Sequence, residues 1–394
     1  MLAVLSPGQG SQKPGFLNPW LDVAGVEARL RWWSALAGVD LVHLGTRADA
    51  DEIKDTARTQ PLLVAAALLA AEHLPMHDVA LVAGHSVGEL GAAALAGVLP
   101  AEAAVTLAGV RGREMAAACA LEPTGMAAVL GGDPDEVLAA LETHGLHAAN
   151  RNGAGQIVAA GAVAGLEKLA AEPPARARII RLQVAGAFHT PYMAPAENAL
   201  AVVAAGVTVA DPSRILLSNL DGNPVGHGRE TLRRLVRQVT APVRWDLCMR
   251  ALADLGVTGV VELPPAGTLA GLVKRELKGE GAPEIVTLNT PDDLPAARRL
   301  IARHGGPAAH RPAAHRPAAR YRVVVSPAAG VFTPVAELAE GAELRAGQVL
   351  GHVAGRQGPV EVTAHHTGSL TEWLAHHADP VAPGQPLVRI GGSH

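Results

Sequence analysis

The sequence predicts an α/β protein with a small α+β insert and a separate β-rich tail. Three observations lead there. A short apolar strand at residues 79–82 runs through Gly84-His85-Ser86-Val87-Gly88 into an alanine-rich helix at 89–99. Residues 125–184 alternate in the order βαββαβ. A run rich in proline, alanine, histidine and arginine at 305–320 precedes two similar β-rich halves. Strands that alternate with helices indicate a sheet covered by helices, and 394 residues suit one large unit plus a smaller one. The expected divisions are a large unit at 1–304 with its insert near 125–185, a linker at 305–320, and a tail domain at 321–394.

Taken in order, Ala3-Val4-Leu5 is a short strand entering the glycine-rich loop Ser6 to Gln12. Such a loop either turns N–H groups toward an anion or is an ordinary strand-to-helix turn. Residues 20–36 have helical period, and the Trp32-Trp33 pair reads as packing. Thr59-Gln60-Pro61 introduces a helix with proline in its first turn. The G-x-S-x-G stretch then places Ser86 on a sharp turn between strand and helix, where a hydroxyl is exposed and the helix N-terminus faces a developing oxyanion. Ser86 is therefore the candidate nucleophile.

Residues 101–120 form another helix, carrying Arg111 in an apolar context. That arginine either snorkels or pairs with a carboxylate of the protein, or it awaits a carboxylate of a substrate. In the insert, Asp133-Pro134-Asp135-Glu136 is a helix start with an N-cap, a first-turn proline and a capping-box glutamate. Strands at 126–130, 147–149, 156–160 and 179–184 with helices from 133 and at 162–171 make this a ferredoxin-like subdomain. Phe188-His189 follows the last strand, and His189 gains weight because a serine nucleophile needs a base. His85, adjacent to the serine, should point away from it. Residues 219–225 form a turn, and Trp245 lies where a helix ending near Gly256 begins. A strand at 259–263, a loop at 264–267 and a helix at 268–278 follow, and residues 298–303 close the unit.

Composition excludes several classes. A net charge of −4 gives no electrostatic footprint for nucleic acid, and 3% aromatic residues supply no stacking platform. The apolar run at 62–71 is too short to cross a membrane. The first residues lack a basic segment and a long apolar core, so no signal peptide is expected. Cys119 and Cys248, in apolar helical contexts without partner motifs, read as buried free thiols in a reducing cytoplasm.

Together, Gly8-Gln9-Gly10-Ser11-Gln12, Thr59-Gln60-Pro61, Gly84 to Glu89, Arg111-Gly112, Asn150 to Gln156, Phe188-His189, Gln238 with Pro242-Val243-Arg244-Trp245, and Glu262 to Gly267 resemble the malonyl-CoA:acyl carrier protein transacylases. The resemblance spans about residues 1–304. It implies an α/β-hydrolase-like core with a ferredoxin-like insert. It further implies transfer of malonyl from malonyl-CoA to the phosphopantetheine thiol of acyl carrier protein through a malonyl-serine, without a covalently bound cofactor or a metal. Ser86 matches the nucleophile and His189 its base, oriented by a backbone carbonyl at Gln238. Gln9 and Val87 match the backbone oxyanion hole. Arg111 matches the residue that holds the malonyl carboxylate, with Gln60, Asn152 and Phe188 at substrate-binding positions. Two positions depart from the family pattern, beside the site: Ala185 stands where serine is frequent, and Glu262-Leu263-Pro264-Pro265 replaces Glu-x-Gly-Pro.

The tail carries Ala346-Gly347-Gln348-Val349-Leu350 in one half and Pro383-Gly384-Gln385-Pro386-Leu387 in the other. This duplication resembles the biotinyl/lipoyl domain, a barrel-sandwich of two quasi-equivalent halves. That family modifies a hairpin lysine, yet Lys278 is the last lysine of the chain, and Arg356 and Gln357 stand near the hairpin. The tail is thus expected to dock a further protein rather than to carry a swinging arm. Its histidines, nine of the chain's 17 from His304 onward, read as a solvated surface rather than a metal site, because no cysteine or carboxylate spacing accompanies them. Acyl transfer leads the functional readings. Serine hydrolysis, and a scaffold that binds carrier protein, are the alternatives.

Overall fold

The computed structural model describes residues 1–306, 321–336, 338–355 and 358–392. The chain divides into two compact units, Met1–His310 and Arg311–His394. The linker expected at 305–320 falls, from residue 307 on, outside the described residues, as do Arg356 and Gln357.

The first unit contains β1 (Leu2–Ser6), β2 (Leu81–Gly84), β3 (Thr124–Gly131), β4 (His147–Gly153), β5 (Gln156–Ala162), β6 (Ala177–Arg181), β7 (Ile215–Leu216), β8 (Gly259–Glu262) and β9 (Glu284–Thr287). Five of these form a parallel sheet in the order β7-β2-β1-β8-β9. Its residues alternate between two apolar cores. Leu2, Val4, Val82 and Val261 face a core shared with the Thr56–Ala71 and Ala101–Cys119 helices. Ala3, Leu5, Leu81, Ala83 and Val260 face a core built with Trp245, Met249, Leu269 and Val273. Burial on both faces is why β1, β2 and β8 read as unbroken apolar runs.

The insert forms a four-stranded antiparallel sheet in the order β4-β5-β3-β6. Its own core includes Val137 and Leu141 of one helix and Leu166 and Leu169 of the other. It is stitched to the segment that leads into the Trp245–Asp254 helix, where Arg151 N–H donates to the Val243 carbonyl and Val243 N–H to that of Ala149.

Several sequence expectations shift. The helix expected to start near Pro61 begins at Thr56, because the Asp55 carboxylate accepts the Ala57 N–H at 2.9 Å and caps it there. Pro61 therefore lies inside the helix. The helix expected at 20–36 begins at Val26, after Gly25 adopts a φ of 85°. β7 and β9 escape the sequence reading, since one has two residues and the other is a partly exposed edge. Cys119 is half-buried rather than buried, while Cys248 is fully buried. Among the described residues no helix is long and apolar enough to cross a membrane.

The second unit is all-β. It contains β10 (Tyr321–Val325), β11 (Gly330–Pro334), β12 (Glu343–Leu344), β13 (Val349–Gly355), β14 (Gly358–Thr363), β15 (Gly368–Trp373), β16 (Asp379–Val381) and β17 (Pro386–Gly392). Its sheets run β10-β17-β15-β12 and β14-β13-β11-β16. Exchanging each strand with the one four places away converts one order into the other. The turns share this duplication. Gly347 N–H donates to the Ala364 carbonyl and Gly384 N–H to that of Ser326, so each half's turn closes on the other half. Phe332, Leu350, Leu370 and Leu387 fill the core between.

The turn after β2 depends on two glycines. A Cβ on Gly84 would lie 2.1 Å from the Gly88 carbonyl, and one on Gly88 would lie 2.3 Å from the Ser6 carbonyl. Both neighbours are backbone and cannot swing aside. Gly84→Ala and Gly88→Ala should each lower the thermal midpoint by roughly 5 °C or more. Gly226→Ala, where no heavy atom lies within 4 Å, is the control. A wild-type midpoint in either tight-turn variant would contradict this packing.

Candidate active site

The loop after β1 and the turn after β2 open at the carboxyl ends of neighbouring parallel strands, where ligands settle in open α/β sheets. A cleft of about 540 Å³ lies there, lined among others by Gln9, Ser86, Val87, Arg111, Asn152 and Phe188. Ser86 sits at φ 53° and His189 at φ 59°, in the left-handed region. That region costs a non-glycine residue about 1–2 kcal/mol. Both are held there by their surroundings.

Ser86 Oγ lies 2.7 Å from His189 Nε2. The other ring nitrogen, Nδ1, donates to the Gln238 main-chain carbonyl at 2.7 Å. This fixes the tautomer that leaves Nε2 open to accept the serine proton. His189 is buried, and burial, followed by the Arg111 charge, lowers its pKa to about 3. The imidazole is therefore neutral at ordinary pH.

Arg111 reaches the site because two helices approach closely. A Cβ on Gly112 would lie 2.7 Å from the Thr56 carbonyl, so the Ala101–Cys119 helix can press against the Thr56–Ala71 helix only with glycine at that position. Arg111 Nη1 donates to Gln60 Oε1 at 2.5 Å and Nη2 to Gln238 Oε1 at 2.9 Å. Nη2 also lies 3.4 Å from Ser86 Oγ. These acceptors are neutral, so the cation beside Ser86 is not cancelled by a carboxylate in direct contact. Burial lowers its pKa to about 10, against the opposing pull of Glu89, and it stays protonated.

Gln9 turns its side chain to Thr56 Oγ1, at 3.4 Å. Asn152 Oδ1 meets His85 Nε2 at 2.9 Å, and its amide donates to Gln156 Oε1 at 3.2 Å. His85 lines the cleft, with its ring hydrogen-bonded to Asn152 and set edge-on to Trp245. Burial lowers its pKa, so it too is neutral. Among the described residues no group of three or more histidine, cysteine or carboxylate side chains is placed to hold a metal ion.

Two residues of the site carry no role in the sequence reading. Asn219 is fully buried, its Oδ1 accepting the Ser86 N–H at 2.8 Å. Glu89, in the first turn of the helix that follows Ser86, accepts the Asn219 N–H and hydrogen-bonds the Gln238 amide. Burial raises its pKa to about 8 despite these donors. Asn219 was masked by its turn-like neighbours Asp221-Gly222. The available signal was its place just beyond the apolar triplet Ile215 to Leu217.

The family model for the acyl transferase domain matches residues 5–297. The malonyl CoA-acyl carrier protein transacylase of Mycolicibacterium smegmatis is 56% identical over 292 residues, covering 72% of this chain and all of that protein. Its counterpart from Mycobacterium tuberculosis is 54% identical over 299 residues, covering 75% of this chain and 98% of that protein. The crystal structure of MCAT from Mycobacterium tuberculosis superposes with a TM-score of 0.73 at 53% identity, covering 75% of this chain and 99% of that one.

The depressed pKa of His189 fixes the sign of a pH effect. An imidazole that stays neutral well below its ordinary value of 6.5 loses no proton-accepting capacity as pH falls through 6.5. Labelling of Ser86 by an alkyl fluorophosphonate should therefore keep a constant rate between pH 7 and pH 5. An inflection near 6.5 would contradict the buried, cation-flanked setting of His189.

Proposed function

The chain belongs to the acyl transferase family, and on that basis we propose that it moves a malonyl group from malonyl-CoA to the phosphopantetheine thiol of acyl carrier protein, for fatty acid synthesis, through an ester on Ser86. The curated relatives are named for that transfer. The observation that carries the site assignment is Arg111, buried, cationic and 3.4 Å from the nucleophilic oxygen. A serine hydrolase needs no such cation, whereas an acyl group ending in a carboxylate does.

In this reading Ser86 Oγ attacks the thioester carbonyl while its proton passes to His189 Nε2. The oxyanion settles on the N–H groups of Gln9 and Val87, each such donor being worth about 3 kcal/mol. The Gln238 carbonyl supports the imidazolium through Nδ1–H. Collapse breaks the carbon–sulfur bond, and coenzyme A departs as its thiol with the proton from His189. The carrier-protein thiol then attacks the ester, and the same steps run in reverse order. Gln60 holds Arg111 toward the malonyl carboxylate, while Asn152 and Phe188 shape the pocket around it. A cytoplasmic location belongs to the same proposal.

The C-terminal unit is proposed to be biotinyl/lipoyl-like, a shape that docks a further protein without carrying a prosthetic group. The exchange of strand orders between its sheets supports the likeness. The lack of lysine after Lys278 supports the missing prosthetic group, since biotin and lipoate are carried on a lysine amide.

Mixing with malonyl-CoA should add one malonyl mass to the wild type and none to Ser86→Ala. Arg111→Ala should slow malonyl transfer by several tens-fold or more, as expected from roughly 2–5 kcal/mol for a charge pair losing one partner, and spare acetyl transfer. Equal loss for both acyl groups would mean that Arg111 is only structural. For the tail, protein purified from its native host should show no added mass within residues 321–394. A biotin- or lipoate-sized addition there would overturn the docking role.

A further inference from the structure

Both main-chain polar groups of Ser86 meet side chains brought from distant segments, the carbonyl in addition to the Glu89 N–H of its own turn. Its N–H donates to Asn219 Oδ1 at 2.8 Å, and its carbonyl accepts from Gln238 Nε2 at 3.1 Å. The Asn219 amide also donates to the Gly84 carbonyl at 2.8 Å. One carboxamide thus forks across the turn, holding the residue two before the nucleophile and the nucleophile itself. The fork has no slack of its own. Asn219 N–H donates to Glu89 Oε1 at 2.6 Å, and its carbonyl accepts the Arg244 N–H at 2.7 Å.

Glu89 is the second half of the device. Its other oxygen accepts from Gln238 Nε2. Gln238 in turn holds Arg111 with its side-chain oxygen and His189 with its main-chain oxygen. One carboxyl group, 5% exposed, therefore fixes two amides. One amide braces the nucleophile. The other braces the base and the cation. A serine in the left-handed region persists only while its surroundings over-determine it. If the fork is released, the Ser86 N–H and the Gly84 carbonyl become unsatisfied in a buried site, and the turn can relax. Relaxation carries Oγ off the line to Nε2, and a misplacement of about 1 Å costs on the order of a hundredfold in rate.

We propose that Asn219 and Glu89 are positioning residues for the nucleophile: Asn219 locks the backbone of Ser86, and Glu89 locks Asn219 and Gln238 to each other. The assignment of a purpose to this lock rests on the acyl-transfer reading, but the lock itself concerns the reactivity of Ser86 toward any electrophile. The test therefore separates the two.

The full chain and its Asn219→Ala and Glu89→Gln variants are compared in the rate of Ser86 labelling by an alkyl fluorophosphonate, corrected for folded fraction, and in kcat and KM with malonyl-CoA. Glu89→Gln keeps the side-chain volume and the bond to Asn219 N–H but sets an amide donor against the Gln238 amide. Each variant should label roughly tenfold or more slowly, with kcat falling in step and KM within about threefold of the wild type. A merely structural role would lower the thermal midpoint and leave the labelling rate per folded molecule unchanged. A fall of less than tenfold in labelling for either folded variant overturns the proposal. If Asn219→Ala does not fold, Glu89→Gln decides alone. A wild type that labels with the fluorophosphonate yet forms no ester with malonyl-CoA would sink the acyl-transfer reading, and the positioning roles would still be judged by labelling.

Discussion

The hydrogen bond from His189 Nδ1 to the Gln238 main-chain carbonyl decides how the rest of the cleft can be built. Many serine nucleophiles use a carboxylate at that position. Here a carboxylate would stand within reach of Arg111, which already donates to the Gln238 side chain. The two would pair, and the cation would be spent inside the protein. A neutral carbonyl orients the imidazole and leaves the guanidinium on neutral acceptors, the side-chain oxygens of Gln60 and Gln238. The cost is a base whose protonated form is disfavoured by both burial and that same cation.

The sheet makes this arrangement stiff. The inner strands β1, β2 and β8 are clamped between two apolar cores, so their carboxyl ends are fixed points. Ser86 follows β2, and Asn219 lies just beyond β7. Glu262 ends β8, and its carboxylate accepts the N–H groups of Gly267, Leu269 and Ala270 at 2.8–2.9 Å. That contact pins the start of the Thr268–Glu276 helix, whose residues Thr268, Leu269 and Leu272 form a wall of the cleft. A buried carboxyl is thus pinned in two places, Glu262 at the cleft wall by three backbone donors and Glu89 behind Ser86 by the Asn219 N–H and the Gln238 side-chain amide. In both cases burial pushes the pKa up.

Much of this was legible in the sequence for physical reasons. Strands buried on both faces are written as apolar runs, and a turn that admits no Cβ must be written with glycine, so β2 and the Gly84–Gly88 turn stand out. Other features were illegible because they depend on contacts between distant segments. Nothing local marks Asn219 as the partner of Ser86, 133 positions away. The start of the helix at Thr56 is set by Asp55, while the more conspicuous Pro61 points to the wrong place. β9 is held by pairing with β8 and has only four residues of its own to announce it. In the tail, the repeated Gly-Gln turns were readable. Their closing on the opposite half was not, since an intra-chain repeat can equally stack on itself.

The tail has one more property. Its first strand, β10, pairs antiparallel with its last, β17, and Tyr321 lies opposite Gly391. The chain therefore enters and leaves this unit at the same place. A body whose two ends meet asks nothing of its host beyond a single point of attachment. It can sit at the end of a polypeptide, or be spliced into a surface loop, without stretching either side. Such geometry makes the unit portable, able to pass between proteins as a cassette without its internal hydrogen bonding being rewritten.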